Sequence, residues 1–343
     1  MEEKMKEKKI DPRVKWTLTL LIVLVFFSSP ARAADWQFYG IAKLRTFVNE
    51  VDNKDDAPDT LNYAQYLYSN SKIGARVRVN DNLRARFEYG IEADVRKLWG
   101  EWKFAGARLK VGQDYTPIYM DYCLEEYGGL SGGRRPMIQL SFKGFKIAVI
   151  QPRAKKFGTS GVAAHTTLPK LEASYNKEIG KFSFEVAGGI NTYELVGQNQ
   201  TYKINAYILG LGAELRLNQA YFAANIYTGQ NLTPYGMIIA TDGNPAITDG
   251  GVRDNKGFGF VLLGRYSFND RWTIEAGVGQ QESRLEQAPA TDDVQACYIL
   301  SKINLSENVY LIPEIGLIDQ LHDTMGKRGP RTLYYGIEWQ IYF

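Results

Sequence analysis

Residues 333–343 read LYYGIEWQIYF. Leu333, Tyr335, Ile337, Trp339, Ile341 and Phe343 fall on one face of an extended chain. Tyr334, Gly336, Glu338, Gln340 and Tyr342 fall on the other. Successive side chains of a strand point to opposite faces, so this period of two marks a strand. Its apolar face runs unbroken to Phe343, whereas polar residues suit a terminus that frays into water.

The same period recurs through the chain. Trp36, Phe38, Ala42, Leu44 and Val48 oppose Gln37, Tyr39, Lys43 and Arg45. Ile73, Ala75, Val77 and Val79 oppose Lys72, Arg76 and Arg78. After Asn80-Asp81-Asn82, Leu83, Ala85, Phe87, Tyr89 and Ile91 oppose Arg84, Arg86, Glu88 and Glu92. Asn and Asp tolerate left-handed backbone angles, so the second and third runs form a hairpin. Thirteen more strands are expected near 95–104, 107–113, 136–143, 145–151, 169–178, 181–192, 203–217, 220–229, 257–268, 272–281, 294–305, 309–318 and 331–343. That makes sixteen. The strand near 294 has two possible phases, and Pro313 removes a ladder donor from its neighbour.

Connections between these strands alternate between tight turns and longer loops, with 93–94 the short exception among the latter. A membrane barrel sorts its connections this way, with tight periplasmic turns on one rim and extracellular loops on the other. Hydrocarbon supplies no hydrogen bonds, so a sheet within it must close on itself. A soluble sandwich also alternates, but it has no reason to place rows of Arg and Lys on consecutive strands or aromatic residues at strand ends. Trp36, Tyr266, Phe268, Trp272, Tyr335, Trp339 and Phe343 suit interfacial girdles. The expected fold is all-β, a transmembrane antiparallel barrel of sixteen strands over residues 34–343.

Residues 1–33 have a basic head, an apolar run from Trp16 to Phe27 and the small-residue site Ala31-Arg32-Ala33. This is the layout of a secretory signal peptide. Twelve helical residues span only about 18 Å, against ~30 Å of hydrocarbon. Residues 34–343 carry 34 basic and 34 acidic side chains, so no global charge points to nucleic acid. Any electrostatic function comes from local placement.

A sixteen-stranded barrel is wide enough for water, so function lies in what narrows it. The third long connection, 114–135, is rich in Gly and aromatic residues and carries Asp114, Asp121, Glu125 and Glu126. So many apolar side chains argue that it folds into the barrel. The wall of the first five strands is basic: Lys43, Arg45, Arg76, Arg78, Arg84 and Arg86 point inward, with Lys72, Arg108 and Lys110. Later strands place Glu172, Glu185, Glu214, Glu275, Glu314 and Glu338 on their polar face. Basic wall against acidic loop would set a field across the pore.

The stretches SKIGARVRVNDNLRARFEYGIE (71–92), LWGEWKFAGARLKVGQDYTPIY (98–119), PKLEASYNKEIGKFSFEVAGGINTY (169–193), YTGQNLTPYG (227–236) and YYGIEWQIYF (334–343) resemble the Gram-negative general diffusion porins. The resemblance implies a homotrimer in the outer membrane, in contact with lipid and lipopolysaccharide. It implies an eyelet between Asp121, Glu125 and Glu126 on loop three and arginines among Arg45, Arg76, Arg78, Arg84 and Arg86. It also implies that Phe343 is the signal read by the barrel-assembly machinery. The short link 93–94 departs from that pattern, because loop two often latches onto a neighbouring subunit.

Other chemistry is thin. His165 and His322 have no Ser partner at a hydrolase spacing, so no enzyme, catalytic residue or cofactor is expected. The acidic run 49–59 lacks the ligand periodicity of a calcium motif, and no metal is expected. TDGNPAITDGGVRDNKG, 241–257, reads as a flexible loop. Cys123 and Cys297 are free or form one bridge. The leading function is passive diffusion of small hydrophilic solutes. The alternatives are a substrate-specific channel guiding anions, or a non-channel barrel such as an adhesin.

Overall fold

The computed structural model describes residues 34–54, 58–120, 122, 128–130, 132–152, 163–166, 168–196, 200–236, 243–248 and 251–343. Sixteen antiparallel strands form its wall. They are β1 (Asp35–Asp52), β2 (Thr60–Leu67 and then Lys72–Arg78), β3 (Leu83–Tyr89), β4 (Val95–Phe104), β5 (Ala107–Tyr115) and β6 (Arg134–Phe142). Next come β7 (Phe145–Ile150), β8 (Ala163–His165 and then Lys170–Ile179), β9 (Phe182–Val196), β10 (Thr201–Arg216) and β11 (Ala220–Gln230). β12 (Asn255–Asn269), β13 (Trp272–Leu285), β14 (Asp292–Ser306), β15 (Val309–His322) and β16 (Arg331–Tyr342) complete the set. Each strand pairs with its chain neighbours, and β16 returns to β1 in register from Ile41↔Tyr342 to Asp52↔Arg331. The sheet is closed and leaves no edge.

The alternation read from the sequence sorts the two faces. Tyr335, Ile337, Trp339 and Ile341 lie exposed on the outside of β16, while Tyr334, Glu338 and Gln340 are buried on the inside. Leu98, Ile138, Ile147, Leu209, Leu262 and Ile299 extend the exposed apolar belt around the wall. An exposed apolar belt around a closed sheet suits hydrocarbon. Trp36 stacks with Phe38 at 6.0 Å, and Phe268 stacks on Trp272 at 4.6 Å, both at the short-turn rim. Tyr335 lies nearer the other rim, where its hydroxyl donates to Glu50 at 3.0 Å.

Turn chemistry fixes the register of the hairpins. Asn80 Oδ1 accepts the amides of Asn82 and Leu83 at 2.9 and 2.8 Å. Ala105-Gly106 and Lys143-Gly144 hold φ of 44°, 78°, 46° and 88°. Two consecutive left-handed residues match the twist of the flanking strands, which is why glycine takes the second place in both turns.

Three details differ from the expectation. β1 runs on to Asp52, and β2 begins at Thr60 and breaks over 68–71 before resuming at Lys72. At that break Ser71 Oγ accepts the Lys43 amide at 2.9 Å, so the side chain fills a gap in the ladder. The β3–β4 connection comprises residues 90–94 rather than 93–94. In β14, Val294, Ala296, Tyr298 and Leu300 face inward while Cys297 and Ile299 face out. Pro313 is accommodated within β15, opposite Ile337.

Candidate functional site: the lumen and its basic wall

The connection from β5 to β6 turns into the barrel. Ile118, Met120 and Leu130 are almost wholly buried against Ala187, Ala206, Ile208 and Tyr227 on β9–β11. The Leu130 amide donates to Asn225 Oδ1 at 3.3 Å, and the Met120 amide to the Leu130 carbonyl at 3.1 Å. Gly128 sits at φ 71° against the backbone of Phe260 and Gln280, where a Cβ would strike the Phe260 carbonyl. The loop therefore leaves the basic side and reaches the opposite wall. Asp121, Cys123, Glu125 and Glu126 lie outside the described residues.

A second loop joins the same packing. Leu232 and Tyr235, in the connection after β11, are buried in that cluster. Beneath both loops lies a buried ion pair, Lys170 Nζ to Glu172 Oε1 at 2.6 Å. Glu172 Oε2 accepts the Ile118 amide at 3.4 Å, Lys170 Nζ donates to the Pro234 carbonyl at 3.4 Å, and Lys170 lies 5.0 Å from the centre of the Tyr235 ring. The stretch 241–257 was expected to be a flexible loop. Among its described residues, Asp254 Oδ1 accepts from Asn231 Nδ2 at 2.8 Å, and Asn255 Nδ2 donates to the Asn244 carbonyl at 3.1 Å. Ile247 and Val252 pack on Tyr193, Leu195 and Ile204.

Facing this packed half, the wall from β16 through β5 is basic in a patterned way. Glu338 is shared by Lys43 at 3.4 Å and Arg45, which also hydrogen-bonds to it. Glu88 is shared by Arg86 at 2.9 Å and Arg96 at 3.0 Å. Glu101 is shared by Arg84 at 2.5 Å and Arg108 at 3.9 Å. Asp114 is shared by Lys97 at 2.9 Å and Lys110 at 2.6 Å. Four carboxylates thus carry two bases each, so bases outnumber acids at the Glu88, Glu101 and Asp114 nodes, while at the Glu338 node Arg45 also interacts with Glu314. Aromatic rings hold the cations in place. Arg45 lies 3.5 Å from the centre of the Tyr68 ring, Arg76 and Arg86 flank Tyr39 at 5.3 and 5.2 Å, and Lys110 lies 4.7 Å from Trp99. A cavity of about 630 Å³ opens on this wall at the short-turn rim, lined by Arg76, Arg84, Arg86, Trp99, Arg108 and Lys110.

The acids of the other strands are balanced differently. Arg265 bonds Glu275 at 2.5 Å, Arg216 bonds Glu214, and Lys146 lies 3.9 Å from Glu185. Tyr334 Oη donates to Glu314 at 2.7 Å. Glu275 also accepts from Tyr298 Oη at 2.6 Å, and Asp319 on β15 carries two bases, Arg328 at 3.3 Å and Arg331 at 4.0 Å. What distinguishes the wall from β16 through β5 is that its two-base nodes lie on consecutive strands.

Several residues take places the sequence reading did not give them. Asp114 is in β5 and belongs to the basic wall, not to the inward loop. Glu338, expected on the polar face of the last strand, is joined to that wall by barrel closure. Arg78 turns to the exposed Asp81 of the adjoining turn at 2.6 Å. Lys43, Arg45, Arg76, Arg84 and Arg86 line the inside, and Arg76, Arg78, Arg84 and Arg86 line one cavity. Arg96, Lys97 and Lys170 were missed. Alternation puts either Arg96 or Lys97 toward lipid, but both face inward. Glu88 pairs with Lys97 and Tyr89 with Val95, leaving Arg96 as the extra residue of a β-bulge. Two adjacent bases in a membrane strand were the available signal, because a base on the lipid face costs ~2–4 kcal/mol at mid-bilayer.

The remaining polar features build no reactive centre among the described residues. His322 Nδ1 contacts Asp293 Oδ1 at 3.1 Å on an exposed rim. No group of three or more His, Cys, Asp and Glu there is arranged to hold a metal ion. Cys297 is a free thiol on the outer face.

No family model and no curated protein matches the chain. Solved structures do. The outer membrane channel DcaP of Acinetobacter baumannii is 15% identical with a TM-score of 0.75, over 92% of this chain and 99% of that one. The anion-selective porin of Comamonas acidovorans is 13% identical with a TM-score of 0.61, over 90% and 100%. OmpT, an outer membrane protein of Vibrio cholerae, in its trimer form, is 15% identical with a TM-score of 0.57, over 91% and 100%. At these identities the likeness is one of architecture, and it covers nearly the whole barrel. The chain has the fold of the Gram-negative outer-membrane porins, a closed sixteen-stranded barrel with an inward-folded third loop.

Proposed function

We propose that the protein is an outer-membrane channel through which small hydrophilic solutes and ions diffuse past an inward third loop. The observation that carries this reading is the lumen itself. A packed, loop-covered half faces a wall of eight bases on four carboxylates. Charges within a narrow lumen are screened less than on an open surface, so they order polar solutes and penalise apolar ones. DcaP, described as an outer membrane channel, shares the architecture and supports the reading.

The test is conductance of the purified protein in a planar bilayer under asymmetric salt. Step-wise ionic current is expected, with anions favoured. A protein that inserts but carries no current would sink the proposal and leave a non-channel barrel such as an adhesin. Neutralising Arg84 and Arg86 together should lower the anion/cation permeability ratio about threefold, since each removes a charge worth a few tenths of a kcal/mol at ~10 Å in water. An unchanged reversal potential would show that neither faces the permeating ion.

The surplus positive charge favours a second reading, a more selective channel that guides anions. The relative described as anion-selective supports it. Block of single-channel current by millimolar phosphate or carboxylate, but not by a neutral sugar, would favour it over general diffusion. A homotrimer, contact with lipopolysaccharide and delivery by the barrel-assembly machinery belong to the same proposal. The trimer form of OmpT supports the first of these.

A further inference from the structure

Arg96 is among the most buried charged residues of the protein, 2% exposed. No solute in the lumen can reach it, yet its guanidinium makes three directed bonds. Nε donates to Glu88 Oε1 at 3.0 Å, Nη1 to the Ser69 carbonyl at 2.8 Å, and Nη2 to Asn70 Oδ1 at 2.9 Å. The first partner belongs to the charged wall. The other two belong to the break in β2.

Each contact has a consequence further along. Glu88 is fully buried, and its second oxygen accepts from Tyr39 Oη at 2.8 Å and Arg86 Nη2 at 2.9 Å. Arg86 Nε also donates to Tyr39 Oη at 2.9 Å. With Arg96 behind it, Glu88 is neutralised from the wall side, and the charge of Arg86 is left to the lumen. Without Arg96, Arg86 would be drawn into neutralising a buried carboxylate. The residues at the break act on the next node. The Tyr68 amide donates to the Lys43 carbonyl at 2.8 Å, Ser71 Oγ accepts the Lys43 amide, and the Tyr68 ring packs against the Arg45 guanidinium. Arg96 thus ties the Glu88 node to the Lys43–Arg45–Glu338 node, and the bulge that turns it inward is what makes this reach possible.

We propose that Arg96 is a positioning residue that sets the anion preference of the channel from behind the wall. It neutralises Glu88, frees the charge of Arg86, and holds the 68–71 segment against Lys43 and Arg45. The proposal rests on the reading of the barrel as a channel and adds its charge-selecting element.

The test is the reversal potential in a salt gradient for wild type, Arg96→Gln and Arg96→Lys, each checked for folding by heat-modifiable migration in gels. In Arg96→Gln the anion/cation permeability ratio is expected to fall about twofold. Arg96→Lys keeps the charge but loses the planar fork that joins three partners, so its ratio is expected to fall as well. The double variant Glu88→Gln/Arg96→Gln removes the acid with its mate but not the loss of the 68–71 contacts, so its ratio should rise above that of Arg96→Gln without reaching wild type. Should Arg96→Gln not fold, the lysine and double variants decide. A lysine variant identical to wild type would show that charge alone acts and would overturn the positioning role. A double variant whose ratio is no higher than that of Arg96→Gln would overturn the role of Glu88. A wild-type barrel without current would overturn the channel reading and this inference with it, whereas the variant outcomes above, in a conducting wild type, overturn this inference alone.

Discussion

Lys170→Met is expected to give a channel with larger and noisier current while the barrel still folds. Lys170 and Glu172 are both fully buried and 2.6 Å apart. Removing one member of a buried pair leaves an uncompensated charge and costs ~3–5 kcal/mol, more than replacing both members would. The barrel ladder does not depend on this pair, but two loops do. Glu172 holds the amide of Ile118 in the third loop, and Lys170 holds the Pro234 carbonyl and faces the Tyr235 ring in the other. The cheapest relief for a stranded carboxylate is water, which enters only when Ile118 and Tyr235 move away. The strain should therefore appear as loss of the constriction rather than as unfolding. Single-channel recording reads it directly, and a steady wild-type conductance from Lys170→Met would show that the pair does not anchor the loops. Lys170→Met/Glu172→Gln separates charge from shape. Its Glu172 replacement can still accept the Ile118 amide without carrying a charge, so most of the wild-type trace should return.

How much of this was legible beforehand follows from what alternation can report. Where a strand has lipid on one side and water on the other, as in β16 or the β2–β3 hairpin, a period of two gives face, register and strand together. Where loops fold onto the inner wall, both faces become apolar. On β9 and β10, Ala187, Leu195, Ile204 and Ile208 are buried inside while Ile190 and Leu209 lie exposed outside. Strands survive that loss of contrast, but phase does not, as β14 illustrates. Its inward Tyr298 spends its hydroxyl on Glu275 at 2.6 Å, a contact across strands that a single-strand pattern cannot reveal.

The charged wall was legible as a set of residues and not as a circuit. Lys43, Arg45, Arg84 and Arg86 can be read one strand at a time. Their sharing of carboxylates cannot, because Glu338 meets Arg45 across 293 positions of chain through closure of the sheet. Arg96 was hidden for a different reason. A bulge inverts the rule by which the rest of the strand is read. Asp114 looked like loop because it precedes Thr116-Pro117, yet it remains in the ladder opposite Arg135.

Loss of Phe343 is expected to lower the amount of barrel assembled in the outer membrane about tenfold, equivalent to ~1.4 kcal/mol. Phe343 lies just beyond β16 at the closing seam. Its amide donates to the Gly40 carbonyl at 3.0 Å, and the Gly40 amide donates back to the Phe343 carbonyl at 2.5 Å. Its ring lies over Gly40, where any Cβ would collide with it. The side chain itself remains 70% exposed at the short-turn rim. Two contributions are therefore separable. The backbone bonds close the seam, and each is worth ~1 kcal/mol where water can compete. The ring is largely exposed in the finished barrel, so if it acts as the recognition signal that the porin resemblance implies, its loss is expected to show in assembly rather than in refolding. Phe343→Trp keeps both and should assemble normally. Phe343→Ala keeps only the backbone bonds and should assemble poorly in cells while refolding normally in detergent. Deletion removes both and should fail in each setting. Quantifying heat-modifiable barrel in outer-membrane fractions and after refolding distinguishes the cases. Wild-type yield from Phe343→Ala in cells would reject the recognition role, and wild-type refolding of the deletion would show that the seam closes without its last pair.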